Sequence, residues 1–306
     1  MRAAIINAIG DVPVVGEFPA PTTGPGEVVV DVTLAGLNPV DRLRAEGYEY
    51  LSPVPPFVAG REGVGLLDGE RVYFHEALEP YGSFAKQALV SADQILKVPA
   101  GITDEQAIPL GVAGLTAWVS LSYDAELVEG ERVLVTGATG MVGQIAVQAA
   151  KLLGASYVVG AGRHEETLAS LRDRGADEVV VLGEDPGPAI AAVAGDGFDV
   201  VVDCVFGQPF VAALNATAPG ARVVVVGLTA GSNVNLEFFS LYRRRISGLQ
   251  MGGVPLAHRQ EAFDAMAEHT LAGGLRVGVE RYELDDVATA WGELLRGAHR
   301  KLLIAP

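Results

Sequence analysis

The sequence predicts an α/β fold centred on a doubly wound parallel sheet of six strands. Three observations carry that expectation. From Arg132 onward, strands apolar on both faces alternate with amphipathic helices, which is the pattern of a sheet covered on both sides. A glycine-rich turn, from Gly137 to Gly143, joins the first of those strands to its helix. The first hundred residues read instead as short strands broken by glycine and proline, and the alternation stops after Gly253.

In chain order, residues 28–34 (VVVDVTL), 70–74 and 84–90 (FAKQALV) are expected strands. Gly24-Pro25-Gly26 and the proline-rich stretch 53–57 punctuate them, because proline fixes φ and removes a ladder donor. Thr103, with Gln106 three residues on, is a capping box that starts a helix. Past Gly130 the expected strands are 132–136 (RVLVT), 157–160, 178–182, 199–203 (DVVVD), 222–226 (RVVVV) and 246–251. Helices over 142–153, 165–174, 189–194 and 209–218 separate them. A long helix over 255–271, a strand at 276–279, a helix over 285–296 and a strand at 301–304 do not extend the alternation, and are expected to return to the first domain.

The chain has 306 residues, 22 basic and 38 acidic, for a formal charge of −16. That balance excludes a general nucleic-acid binder, whose phosphate contacts need clustered Lys and Arg. With 49% hydrophobic residues the chain has material for two ordinary cores. Cys204 is the only cysteine, so neither an intrachain disulfide nor a multi-cysteine zinc cluster is available, which points to the cytoplasm. The first ten residues carry no cleavage pattern, and no run of 18 apolar residues suits a membrane. A soluble cytoplasmic protein without nucleic-acid or membrane partners is expected.

The turn reads Gly137-Ala138-Thr139-Gly140-Met141-Val142-Gly143. It meets the G-x-G-x-x-G pattern with Ala138 at the first glycine and Gly140 and Gly143 at the others. Between a strand and a helix, such glycines let backbone amides approach a pyrophosphate. The letters also fit the T-G-x-x-G-x-x-G of short-chain dehydrogenases. That motif normally opens the chain, and this sequence has no Tyr-x-x-x-Lys; Tyr81 and Lys86 are one residue too far apart. At the end of the second strand, where an NAD site places an acidic residue, the sequence has Gly162 followed by Arg163. Loss of the carboxylate and gain of a guanidinium favour the 2′-phosphate of NADPH. Pairing of Arg163 with Glu165 or Glu166 at the helix start is the alternative.

Gly36-Leu37-Asn38-Pro39-Val40-Asp41, Gly60-Arg61-Glu62-Gly63-Val64-Gly65, the stretch from Pro109 to Ala117 (PLGVAGLTA) and the glycine turn together resemble the medium-chain dehydrogenase/reductase superfamily. Within it the resemblance is to the zinc-free quinone oxidoreductase group that includes zeta-crystallin, and it covers nearly the whole chain. It implies a Rossmann NADPH-binding domain over 116–255 and a GroES-like catalytic domain split between 1–115 and 256–306. It also implies a homodimer through the edge strand 246–251. Zinc-dependent relatives bind their catalytic metal with a cysteine near 38, a His-Glu pair near 61 and 62 and a cysteine near 112. Asn38, Arg61 and Val112 stand there, none a suitable zinc donor, so no metal is expected.

Without a metal, the resemblance implies hydride transfer from NADPH to a quinone or an α,β-unsaturated carbonyl. Asn38 resembles the asparagine beside nicotinamide and substrate, placed to donate to a developing oxyanion. Thr116 resembles a threonine at the nicotinamide end. Tyr50 is the favoured proton donor, with Tyr48 and solvent as alternatives, and Asp41 is either catalytic or paired with Arg61 or Arg42. The expected cofactor shell is completed by Gly137, Thr139, Gly140, Met141, Val142, Gly162, Arg163, His164, Cys204, Gly227 and Leu228. Lys301 resembles a terminal lysine of the family and reads as a solvated charge, and Arg243-Arg244-Arg245 as a solvated helix end. The five histidines, His75, His164, His258, His269 and His299, read as surface residues. The loop at Leu66-Leu67-Asp68 is shorter than in relatives, and Arg300 replaces a common glycine. Two other functions compete: an enoyl or carbonyl reductase dedicated to one biosynthetic metabolite, and a non-catalytic, crystallin-like NADPH-binding protein.

Overall fold

The computed structural model describes residues 1–48 and 53–306, in two units. One comprises Met1–Val112, Leu256–Leu271 and Val277–Pro306; the other comprises Ala113–Pro255 and Ala272–Arg276. The short return of Ala272–Arg276 is held by Gln148, whose amide brackets the Arg276 backbone at 2.9 and 3.0 Å.

The second unit is built on six strands, β1 (Arg132–Thr136), β2 (Tyr157–Gly162), β3 (Glu178–Val181), β4 (Phe198–Asp203), β5 (Thr217–Val225) and β6 (Arg245–Gly248). All pair in parallel, in the order β3-β2-β1-β4-β5-β6. Helices α1 (Met141–Leu152), α2 (Glu165–Leu171), α3 (Gly187–Ala194) and α4 (Gly207–Asn215) supply the crossovers. The valine-rich centres of β1 and β4 are fully buried, as a doubly covered sheet requires. This is the sheet the sequence predicts. The strand order reverses between β1 and β4, whose ends are level, Thr136 opposite Asp203, and ligands of such sheets bind in the crevice there. Helix α4 ends at Asn215, three residues before its expected end. Pro219 pushes Ala218 out of helical geometry, and Thr217 turns its hydroxyl onto Leu214 O at 2.7 Å while pairing with Phe198.

The first unit carries a three-stranded sheet, Val14–Glu17, Arg2–Ile6 and Phe57–Val58. A seven-stranded sheet runs in the order Val279–Glu283, Lys301–Ala305, Glu27–Leu37, Glu62–Leu67, Glu70–Phe74 and Ile95–Lys97, with Gln87–Ser91 also paired to Glu27–Leu37. The strand expected at 276–279 lies instead at Val279–Glu283, because Arg276 is taken by Gln148 and has no ladder to join. The strand expected from 84 starts at Gln87, since Phe84 bonds Ala4 and Ala59 across a loop. The Thr103–Gln106 capping box is present and opens the helix Asp104–Pro109. Phe74, Phe84, Trp291, Leu302 and Ile304 centre this unit's core. Among the described residues no helix is long and apolar enough to cross a membrane.

Candidate active site

Antiparallel pairing of Glu27–Leu37 with both Lys301–Ala305 and Glu62–Leu67 sets Gly36 opposite Glu62 and Leu37 opposite Leu302. Glu62, Lys301 and Asn38 therefore converge inside the first unit. Glu62 is 0% exposed and Lys301 and Asn38 are 2% and 4% exposed. The Lys301 ammonium pairs with Glu62 Oε1 and donates to Asn38 Oδ1 at 2.5 Å. Glu62 Oε2 accepts from the Tyr73 hydroxyl at 2.7 Å and from Val112 N–H at 2.8 Å. A Cβ on Gly36 would sit 2.3 Å from Glu62 Oε1, so glycine is what admits the carboxylate. Burial pushes the Glu62 carboxyl up, but Lys301 and the hydrogen bonds outweigh it and hold Glu62 below its ordinary value. Tyr73 is driven well above the usual phenol range by burial and by Glu62.

Two expectations are corrected here. Lys301 is not a solvated charge, because its ammonium is consumed in the core. Asn38 has no donor left for an oxyanion, since Nδ2 donates to Glu62 Oε1 at 2.9 Å and to Gly36 O at 3.3 Å. Asp41 is buried and accepts from Asn38 N–H at 2.8 Å, while Oδ1 has no partner. Among the described residues it makes no ion pair: Arg42 pairs with Glu46 and Arg61 with Glu76. Burial lifts Asp41 to about 6, against the pull of Asn38, Arg44, Arg61 and Lys301. Tyr50 falls in 49–52, outside the described residues.

The raised Asp41 value makes a signed prediction. The folded state binds this proton more tightly than the unfolded chain, so Asp41 favours folding most below pH 4 and that advantage is lost as pH rises through 6. Relative to Asp41→Asn, the wild type is expected to lose about 2 kcal/mol between pH 4 and pH 6, read from urea midpoints at each pH. A difference that stays flat from pH 4 to 7 rules the assignment out.

The histidine reading is also corrected at His75, which is largely buried against Arg259 and held near 4 by burial first and then by that cation. Arg244 and Arg245 are not a free helix end, since they donate to Thr217 Oγ1 at 2.5 Å and Asp124 O at 2.6 Å.

In the second unit the remaining expected residues other than Thr116 lie at or just past the carboxyl ends of β1, β2, β4 and β5. Gly137, φ +64°, turns the chain out of β1; its Cβ would lie 2.6 Å from Val205 and 3.1 Å from Cys204. Gly143 seats α1 on the turn, because a Cβ there would be 2.4 Å from Gly137 O. Gly140 starts the helix with no side-chain cap, and a Cβ on it would meet only Gly137 O at 3.5 Å. Its helix end thus offers the first amides, those of Met141 and Val142 among them, to a ligand. Thr139 closes on Gly162, whose Cβ would be 2.9 Å from Thr139 Cγ2, and Gly227 packs on Cys204 O. Thr116 opens the turn Thr116–Val119, half-buried, and Leu228 is partly exposed.

Arg163 is exposed and, among the described residues, makes no ion pair with Glu165 or Glu166. His164 caps α2, its Nδ1 2.8 Å from Thr167 Oγ1. The half-buried Cys204 thiol is pushed up by desolvation and then by Asp203, so it stays protonated. Asp203 and Glu62 are site residues the sequence reading passed over. Each showed one signal, a lone carboxylate among valines or glycines, where a charge has to be buried. Among the described residues no three His, Cys, Asp or Glu side chains are grouped to hold a metal ion.

A nucleotide cradle at the switch point of a doubly wound sheet, with a separate β-rich unit formed from both chain ends, is the architecture of a dinucleotide-dependent oxidoreductase. The model for the zinc-binding dehydrogenase family matches residues 141–270. Prostaglandin reductase-3 from Mus musculus is 32% identical over 224 residues, 70% of this chain but only 59% of that protein's length. Quinone oxidoreductase from Sus scrofa is 27% identical over 300 residues, 91% of this chain and 88% of that protein. The Thermus thermophilus quinone oxidoreductase, solved alone and with NADPH, superposes with a TM-score of 0.82 over 100% of both chains at 29% identity. The chain belongs to the medium-chain dehydrogenase/reductase superfamily, and within it to the quinone oxidoreductase group.

Proposed function

We propose that the protein is an NADPH-dependent reductase of quinones or enones that works without a metal. The observation that carries this reading is the cradle formed by Gly137, Gly140 and Gly162, with the exposed Arg163 guanidinium, which makes no ion pair among the described residues, just past the end of β2. The residues fit the cofactor: uncapped α1 amides for the pyrophosphate, Arg163 for the 2′-phosphate, and Gly227 and Leu228 beyond β5. NADPH, when bound, supplies a hydride. The protein's own part is to orient an acceptor whose carbonyl spreads negative charge, so that hydride reaches the β-carbon and a proton from solvent or Tyr50 completes the α-carbon. Asn38, Lys301 and Glu62 serve this by fixing the backbone, since their polar atoms are spent. A homodimer through β6 is part of the reading. It is supported by the outermost place of that strand and by the neighbouring Phe238 and Phe239, 73% and 75% exposed.

Purified protein with NADPH and a panel of simple quinones and enones, followed at the nicotinamide absorbance, tests the activity. Turnover on panel members is expected, and tight NADPH binding with no turnover on any of them returns the protein to a binding role. Arg163→Glu is expected to raise the KM for NADPH about 10–100-fold while leaving NADH unpenalised. An unchanged KM for NADPH removes Arg163 from the phosphate site.

A further inference from the structure

Phe206, three residues past the end of β4, has φ +57° and ψ −155°, backbone space open essentially to glycine. The conformation is held from several sides. Phe206 N–H donates to Asp203 Oδ2 at 2.8 Å, and Thr136 pins the other carboxylate oxygen. Val205 O accepts from Ala230 N–H at 2.7 Å. Gly207 follows so tightly that a Cβ on it would lie 2.4 Å from Ala230 O. The ring tilts on Phe210 with centroids 4.9 Å apart and remains half-buried.

A glycine would satisfy every one of these backbone contacts without strain, so the contacts do not explain a phenylalanine. What the strained position adds is an aromatic side chain, partly exposed, on the segment that walls the glycine turn: Val205 and Cys204 are the atoms a Cβ on Gly137 would strike. Arg163 marks the adenosine half of the crevice at the end of β2. β4 lies on the other side of the switch point and serves the other mononucleotide half.

We propose that Phe206 is a cofactor-binding residue, its ring forming an apolar wall for the nicotinamide-mononucleotide half of NADPH. The assignment rests on the NADPH reading above. An aromatic face there excludes water from a flat heterocycle and its ribose, and a strained residue persists where its side chain is used.

The test compares wild type, Phe206→Gly and Phe206→Ala by thermal melting and by calorimetric titration with NADPH and with adenosine 2′,5′-bisphosphate, which lacks the nicotinamide half. Phe206→Gly is expected to melt about 2–5 °C above Phe206→Ala, which keeps the strain and also lacks the ring. Both variants are expected to bind NADPH about tenfold more weakly than wild type while binding the bisphosphate as wild type does. NADPH affinity within twofold of wild type, or equal losses for both ligands, overturns the assignment and returns the ring to core packing against Phe210. A wild type that binds neither ligand overturns the NADPH reading itself, and this assignment with it.

Discussion

Lys301→Met is expected to cost the first unit about 3–5 kcal/mol, because it leaves the Glu62 carboxylate buried without a counter-charge and strips Asn38 Oδ1 of its donor. In a thermal melt that is a drop on the order of 10 °C. The size follows from position: a surface ion pair such as Arg42–Glu46 is worth under about 1 kcal/mol, whereas neither partner here can reach water. Glu62→Gln combined with Lys301→Met removes both charges and is expected to recover a large part of the loss, giving a double-mutant coupling well above about 1 kcal/mol. The pH dependence has a definite sign. Glu62 is held below its ordinary value, so its contribution is complete above pH 5 and is lost as pH falls through its depressed folded-state value, opposite to Asp41. If Lys301→Met melts within a degree or two of wild type, the buried pair is not the anchor the geometry makes it.

The legibility of this chain in its sequence follows physical range. The six-stranded sheet was readable because burial on both faces leaves a local trace, an unbroken valine run such as RVVVV between helices of period 3.6. The glycine turn was readable because close approach at Gly137 and Gly143 leaves no room for a side chain. The Thr103–Gln106 box was readable because both of its bonds span three residues. Lys301 was misread because its burial depends on a partner 239 positions away, and a lysine beside Arg300 near a chain end looks solvated from its neighbours alone. Asn38 was misread for a related reason. A motif gives the residue, but which of its polar atoms are free is settled by Glu62 and Lys301, which lie on other strands. Phe206 left no local trace, since its φ is imposed by Asp203 and Ala230 and not by its own preference.

Gly143→Ala and Gly140→Ala are expected to fail in different ways, and the contrast isolates what the turn does. A Cβ on Gly143 lies 2.4 Å from Gly137 O and 2.6 Å from Ala138 Cα, backbone atoms that cannot swing aside as a side chain could. Helix α1 must move off β1 or the turn must open, at an overpacking cost of about 1–3 kcal/mol, and the amide geometry for pyrophosphate goes with it. Gly143→Ala is therefore expected to lower the melting temperature by several degrees and NADPH affinity by about 100-fold or more. A Cβ on Gly140 meets only Gly137 O, at 3.5 Å, an ordinary contact, so the free protein is expected to melt near wild type. That methyl projects from the uncapped start of α1, where the phosphate oxygens must approach, and a loss of about 10–100-fold in NADPH affinity follows from separating them from the amides. Melting each variant with and without one fixed excess of NADPH reads both quantities, since a ligand bound only to the folded state raises the midpoint with the logarithm of its concentration over Kd. A Gly140→Ala protein stabilised by NADPH as strongly as wild type places the pyrophosphate elsewhere. A Gly143→Ala protein with wild-type melting means that the turn yields more easily than backbone at 2.4 Å allows.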